Sequence, residues 1–260
     1  MDRPVNYEGK TVLVTGGSRG IGLATARRFL GLGANVTIGG RDDDRLERAA
    51  ADLGEGGRVA TVAADISTVE GCRATVTAAV VAFGGVDVLV TNAGGYESAP
   101  PDEVTEDLWD RTIDAHLKGT FFCIQAALPS LRASHGCVVA MVSDAGLFGL
   151  PGGWAAYCAA KGGIVNLIRQ LAIDLAPDIR LNCVAPGPVG TEHVFEELAA
   201  GRYGGVDPGD DPAKALGDTV PLRRLITPEE VADAVVYVAG AESMTGSVLG
   251  LDGGSTAGLP

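Results

Sequence analysis

Cysteine, histidine and aromatic residues are scarce in this 260-residue chain, and cations are outnumbered by acids. Its five cysteines, Cys72, Cys123, Cys137, Cys158 and Cys183, are odd in number and scattered. That pattern offers neither a disulfide framework nor metal-ligand spacing, so free thiols packed as small hydrophobes are expected, with no structural metal. The 20 Lys and Arg against 33 Asp and Glu leave a net charge of −13. Such a surface works against nucleic acid or an anionic bilayer as a partner, and counts weakly against an acidic carrier protein. Apolar runs are too short to span a bilayer and no signal-peptide pattern is visible, so a cytoplasmic protein is expected. The chain has no internal repeat or low-complexity tract.

Glycine and apolar residues are plentiful instead: 38 Gly and 46% hydrophobic content suit a single α/β domain over 1–260 that can bury a large core. Short apolar runs at Thr11 to Thr15, Val36 to Gly39, Val59 to Ala63, Val86 to Thr91, Val138 to Val142, Leu181 to Val184 and Val248 to Leu251 alternate with longer helical patterns. They predict a doubly wound, seven-stranded parallel sheet with helices on both faces. Ligands should sit beyond the strand ends, where Gly16, Asn92, Ser143 and Pro186 emerge. From Gly201 to Asp218 periodicity fails, and Gly204, Gly205, Pro208, Gly209, Asp210, Asp211 and Pro212 crowd together after a short helical pattern at Glu192 to Ala200. This insertion, about 192–220, reads either as a mobile lid or as a solvated surface loop.

Two motifs carry chemistry. Tyr157 and Lys161 stand four apart in a helical pattern, which sets a phenol and an ammonium on one face. A phenol ionises near ~10 and a neighbouring ammonium favours its anion, so this tyrosine could exchange a proton with a substrate oxygen. Near the N-terminus, the strand Thr11 to Thr15 runs into Gly16-Gly17-Ser18-Arg19-Gly20-Ile21-Gly22 and then a helix. Strand, glycine turn and helix form a phosphate cradle, because the backbone approaches closely and the free N–H groups of the first helical turn meet the charge.

With Asn92-Ala93-Gly94, Ser143 and the segment Pro186-Gly187 to Thr191, these motifs fall in the order and near the spacings of the short-chain dehydrogenase/reductases. The chain resembles that family, in particular its NADP-preferring ketoreductases, from about Lys10 to Gly254. The resemblance implies a Rossmann-type fold, a nicotinamide cofactor, and a dimer or tetramer built through the helices Thr105 to Ala133 and Trp154 to Ala176. It assigns Tyr157 as acid and base, Ser143 to the reacting oxygen, and Lys161 to both Tyr157 and the nicotinamide ribose. Asp65 and Ile66 fall at the adenine, although Asp65 could equally be a turn or cap residue. Asn92 and Gly94 fall at the adenine ribose. Pro186, Gly187, Val189 and Thr191 fall at the carboxamide, and the substrate loop falls on the 201–218 segment, which favours a lid there.

Gly40 stands where NAD-preferring relatives carry Asp, and Arg41 follows it. Together with Arg19 in the glycine turn it could clamp a 2′-phosphate, so NADPH is expected over NADH. Alternatively Arg41 pairs with Asp42, Asp43 or Asp44. One position departs from the family: His116 occupies the place of an Asn that links the lysine to solvent. An imidazole could carry that relay with a pH dependence near ~6.5, pack as a core residue, or mark a weakened relay. Around the nicotinamide, Gly94, Gly95, Tyr96, Ala145, Leu147, Phe148, Pro151, Trp154, His193 and Phe195 form an apolar and aromatic set, suited to a medium-sized hydrophobic ketone or alcohol. Trp154 and Phe148 could instead belong to the core. The expected activity is NADPH-dependent ketone reduction, with oxidative alcohol dehydrogenation and an idle cofactor-binding sensor or structural subunit as alternatives.

Overall fold

The computed structural model describes residues 6–54, 56–207 and 209–258. Its elements are β1 (Thr11–Thr15), α1 (Gly20–Gly31), β2 (Asn35–Gly40), α2 (Asp43–Leu53), β3 (Val59–Ala63), α3 (Val69–Phe83), β4 (Val88–Thr91) and α4 (Glu106–Ile113). A π-turn (Asp114–Lys118) then leads into α5 (Gly119–Ser134), β5 (Cys137–Met141), a 3-10 turn (Asp144–Gly146), α6 (Ala155–Leu175) and β6 (Arg180–Pro186). Last come α7 (Glu192–Ala199), α8 (Pro212–Gly217), α9 (Pro228–Gly240) and β7 (Val248–Leu251). All strand pairs are parallel, in the order β3-β2-β1-β4-β5-β6-β7.

The side-chain alternation of each strand divides the interior into two layers. Val12, Val14, Val88, Val90 and Val139 face the helices α1 and α9, while Leu13, Leu89, Val138 and Ala140 face α3, α5 and α6. Both faces are therefore covered, as a parallel sheet requires. Helix starts are set locally: Thr68, Thr105, Thr191 and Thr227 each accept a bond from the first-turn backbone, and Glu230 completes a capping box with Thr227. The chain runs outward from β1 to β3, then returns to the middle at β4. This reversal opens a crevice between the carboxyl ends of β1 and β4.

The expected strands all form, with ends displaced by at most two residues. Two segments differ more. The helix expected over Thr105 to Ala133 is interrupted at its centre by the π-turn, whose wider winding carries His116 inward. The aperiodic segment is largely exposed but in part packed. It forms α8, and Tyr96, Tyr203, Val206 and Leu225 pack on a small core of Val194, Leu198 and Leu216. Arg202 grips Glu197 with two bonds of 2.8 Å, and its carbonyl accepts from Ser98 Oγ at 2.9 Å. Backbone meets backbone beside it, since a Cβ at Gly204 would lie 1.9 Å from the Gly152 carbonyl oxygen. Pro208 lies outside the described residues.

Candidate active site

Beyond the strand ends opens a cleft of about 1270 Å³. One side is made of backbone. Gly16 and Gly20 take φ of +66° and +54°, which glycine adopts without strain. A Cβ at Gly22 would stand 2.1 Å from the Gly16 carbonyl oxygen, so this glycine lets α1 dock under the turn and does not itself line the cleft. Asn92 holds the turn to β4: its Nδ2 donates to Thr15 O and Gly16 O at 3.0 and 3.1 Å. Arg19 precedes α1 without a side-chain cap, which leaves the first N–H groups without an intrahelical partner. A cradle with no room for side chains, at a positive helix end, fits a diphosphate.

Ser18, Arg19, Gly20, Ile21, Arg41, Asp65, Ile66, Asn92, Gly94, Pro186, Gly187, Val189 and Thr191 all line this side. Asp65 does not cap α3; its Oδ1 accepts from Ser67 N at 3.0 Å, and Thr68 is the cap. Arg41 is exposed and, among the described residues, pairs with none of the three aspartates; Asp42 instead caps α2 through Arg45 N at 3.0 Å. Arg19 is engaged elsewhere. Its Nη1 meets Glu196 Oε2 of α7 at 3.0 Å, and this holds the Glu196 carboxyl below its ordinary range. The expected two-arginine clamp is thus placed at the cleft with one arm already paired.

Ser143 follows β5 and Tyr157 lies in the first turn of α6, and both line the cleft, with the Ser143 hydroxyl near enough to act on the phenol. Burial raises the Tyr157 phenol above its ordinary range, while the nearby Ser143 hydroxyl pulls it down. Lys161 stands over the same ring from the next turn of α6. Its Nζ lies 5.5 Å from the ring centroid and donates to Met141 O at 2.9 Å. Burial pushes the Lys161 ammonium down to about 8.

His116 is buried with its ring edge-on to Tyr157, centroids 5.4 Å apart. Its Nε2 is 2.5 Å from Gly95 O, so Nε2 carries the proton and donates. Nδ1 has no partner among the described residues, and no direct bond joins the imidazole to Lys161. Burial and then the Lys161 charge push the imidazole down to about 3. The expected titration near ~6.5 is therefore removed, because charging a buried ring beside an ammonium is unfavourable. Gly94 makes the room, since a Cβ there would lie 2.0 Å from His116 Cε1.

The other side of the cleft is aromatic. Tyr96 touches Trp154, Tyr157 and Tyr203 edge-on at 6.0, 6.1 and 5.7 Å between centroids, and His193 at 4.8 Å. Trp154 closes on Tyr203 at 5.1 Å. Phe148 and Pro151 also line the cleft. Leu147 and Phe195 do not; they are 37% and 36% exposed, carried away by the turn after Ser143 and by the outer face of α7. Three contributors were missed in the sequence. Tyr203 lay in the aperiodic segment, Asp144 stands beside Ser143 with its carboxylate on that hydroxyl, and Ser255 arrives from the chain's far end. Only Asp144 carried a signal, an acid at the end of an apolar strand.

Fold and cleft together define an α/β protein of the dinucleotide-binding type, with Tyr157 and Ser143 lining its cleft. Residues 10–200 match the family described as short chain dehydrogenase, and the chain belongs to the short-chain dehydrogenase/reductase family. It is 36% identical to 2-(S)-hydroxypropyl-CoM dehydrogenase 3 of Xanthobacter autotrophicus over 95% of this chain and 97% of that protein. It is 34% identical to galactitol 2-dehydrogenase of Agrobacterium fabrum, with 95% and 97% covered. A 3-oxoacyl-[acyl-carrier-protein] reductase of Chlamydia muridarum is 34% identical over 94% of this chain and 96% of its own. The crystal structure of a short-chain dehydrogenase/reductase, glucose/ribitol dehydrogenase, from Brucella melitensis superposes with a TM-score of 0.86 at 34% identity, covering 96% and 97% of the two chains. The protein is an oxidoreductase of alcohol and carbonyl groups that uses a nicotinamide cofactor. No helix among the described residues is long and apolar enough to cross a membrane.

Proposed function

We propose that this protein reduces the ketone of a medium-sized, mainly apolar substrate to a secondary alcohol with NADPH, reversibly. The observation that carries the reading is the presence of two hydroxyls, those of Tyr157 and Ser143, lining the cleft where its backbone side and its aromatic side meet. The cofactor, when bound, supplies the hydride. Tyr157 then gives its proton to the carbonyl oxygen as charge develops there, and Ser143 keeps phenol and oxygen in register. Lys161 holds the nicotinamide ribose, while Gly187, Val189 and Thr191 hold the carboxamide. An exposed Arg41 beside Gly40, unpaired among the described residues, supports NADPH, because a guanidinium can meet a 2′-phosphate there. Tyr96, Phe148, Trp154 and His193 support a ring-bearing or otherwise apolar substrate.

A second reading is oxidation of an alcohol, favoured by relatives named as dehydrogenases. Absorbance at 340 nm, followed over a panel of ketones with NADPH and of alcohols with NADP⁺, separates the two. Equal or better catalytic efficiency with the non-phosphorylated cofactor sinks the NADPH assignment; no turnover of any ketone or alcohol sinks the enzyme and leaves a cofactor-binding subunit. We read the chain as one domain whose segment at about 192–220 closes over substrate, and as a cytoplasmic homo-oligomer. Trp109 on α4 and Ile173 on α6, 41% and 75% exposed, lie on the helices through which copies would associate. Light scattering in solution tests this, and a monomer refutes it.

A further inference from the structure

A serine hydroxyl has one proton, and that of Ser143 is directed at a buried acid: Ser143 Oγ donates to Asp144 Oδ1 at 2.9 Å. Asp144 is 6% exposed. Its Oδ1 also accepts from Ala145 N at 2.8 Å, and its Oδ2 from Ser255 Oγ at 3.0 Å. Ser255 Oγ in turn lies 2.7 Å from Asp252 O and lines the cleft. Among the described residues no cation pairs with Asp144; the ionisable groups around it are the phenols of Tyr157 and Tyr203 and the carboxylate of Asp252. A buried carboxylate without a cation is costly. Capping does not require it, because Ser143 already caps the 3-10 turn through Ala145 N.

We propose that Asp144 is a positioning residue and proton store for Tyr157, acting through Ser143, so that Tyr157–Ser143–Asp144–Ser255 is the route by which the site exchanges protons. In alcohol oxidation the substrate hydroxyl passes its proton to the Tyr157 oxygen. The phenol proton moves to Ser143 Oγ, and the Ser143 proton moves to Asp144 Oδ1. As the O–H pair becomes the second carbonyl bond, hydride leaves the substrate carbon for the oxidised nicotinamide. Tyrosine and serine end as they began, and Asp144 holds one proton; when the carboxyl turns its O–H to Ser255 Oγ, Ser255 accepts that proton and releases its own to water in the cleft. Reduction runs the same exchanges backwards. Burial raises the Asp144 carboxyl above its ordinary range, which makes it a readier proton acceptor.

This inference rests on Tyr157 being the acid and base, and the experiment separates the two. Wild type, Tyr157→Phe, Asp144→Asn and Ser255→Ala are compared for kcat against pH in alcohol oxidation and for cofactor dissociation constant by fluorescence. Asp144→Asn is expected to lower kcat about 10- to 100-fold, to move or abolish the acidic limb of the profile, and to leave cofactor affinity unchanged. Ser255→Ala, which leaves the Ser143 contact intact, should show a smaller loss with the same change of limb. A profile of unchanged shape in both variants, whether or not the rates fall, overturns the proposal. Substantial turnover by Tyr157→Phe would overturn the underlying assignment instead.

Discussion

The two sides of the cleft are built on opposite principles. The cofactor side, from Gly16 to Gly22 with Asn92, is shaped by atoms that are missing: a Cβ at Gly16 would meet Ala93 Cα at 2.7 Å, and one at Gly17 would meet Ile38 at 2.6 Å. The substrate side is shaped by large side chains, Tyr96, Trp154 and Tyr203, which arrive from three separated stretches of chain and touch at 5.1 to 6.0 Å. A diphosphate is the same in every dinucleotide, so its site can be rigid main chain; substrates differ, so their wall is made from groups that can be exchanged without disturbing the sheet.

Breaking the backbone side should have the largest effect. Gly22→Val would force α1 off the turn, with an expected loss of several kcal/mol and of cofactor binding, by the usual cost of forcing bulk into a packed site; thermal unfolding and a cofactor titration measure it, and a folded, binding variant would void the contrast. Tyr157→Phe, where the sides meet, should lower kcat by about 10²- to 10⁴-fold while unfolding and cofactor affinity stay as in wild type.

Lys161 sharpens the comparison, because its ammonium is buried at the expense of stability. Its folded pKa, about 8, lies below the unfolded value, so the cost of burying its charge is fully present below about 8 and is relieved as pH rises toward ~10.5. Lys161→Met should therefore be inactive yet more stable at pH 7, by about 2–3 kcal/mol, an advantage that shrinks in denaturation curves taken at rising pH. An unaltered gap would show that the ammonium is not what strains the site.

His116 works in the other direction. Folded, it ionises only near 3, so its contribution is complete above ~6.5 and is lost as pH falls toward 3, because the unfolded chain takes up the proton first. At pH 5 that loss is about 2 kcal/mol by linkage. His116→Asn should remove this acid sensitivity, and it should leave the neutral-pH shape of the rate profile unchanged. The smallest effect is expected at the seam between the sides: Glu196→Gln frees Arg19 and should tighten NADPH by about threefold relative to NADH, as befits a solvent-exposed pair. No change in that ratio would detach α7 from cofactor choice.

The strands and the glycine turn were legible because their causes are local. Alternation of Val and Leu decides which face each strand residue takes, and a turn from strand to helix against an adjoining strand demands glycine in any surroundings. The 201–218 segment was not legible, since its order comes from Glu197, Ser98 and Gly152, none of which its own composition announces. The His116 titration failed as an expectation for a related reason: burial and the distance to Lys161 set that pKa, and neither is written in a spacing.

By itself, then, the sequence determined the strand pattern, the glycine turn from strand to helix and the placing of Tyr157 and Lys161 on one helix, because each depends on residues within a few positions of one another. Only tertiary structure decided that Ser143 turns its proton to Asp144, that Tyr203 joins the substrate wall and that Arg19 is held by Glu196. Those depend on distances across 1, 49 and 177 positions of chain, the first fixed by the backbone turn at the end of β5 and the others by how the segment after β6 folds back over the sheet.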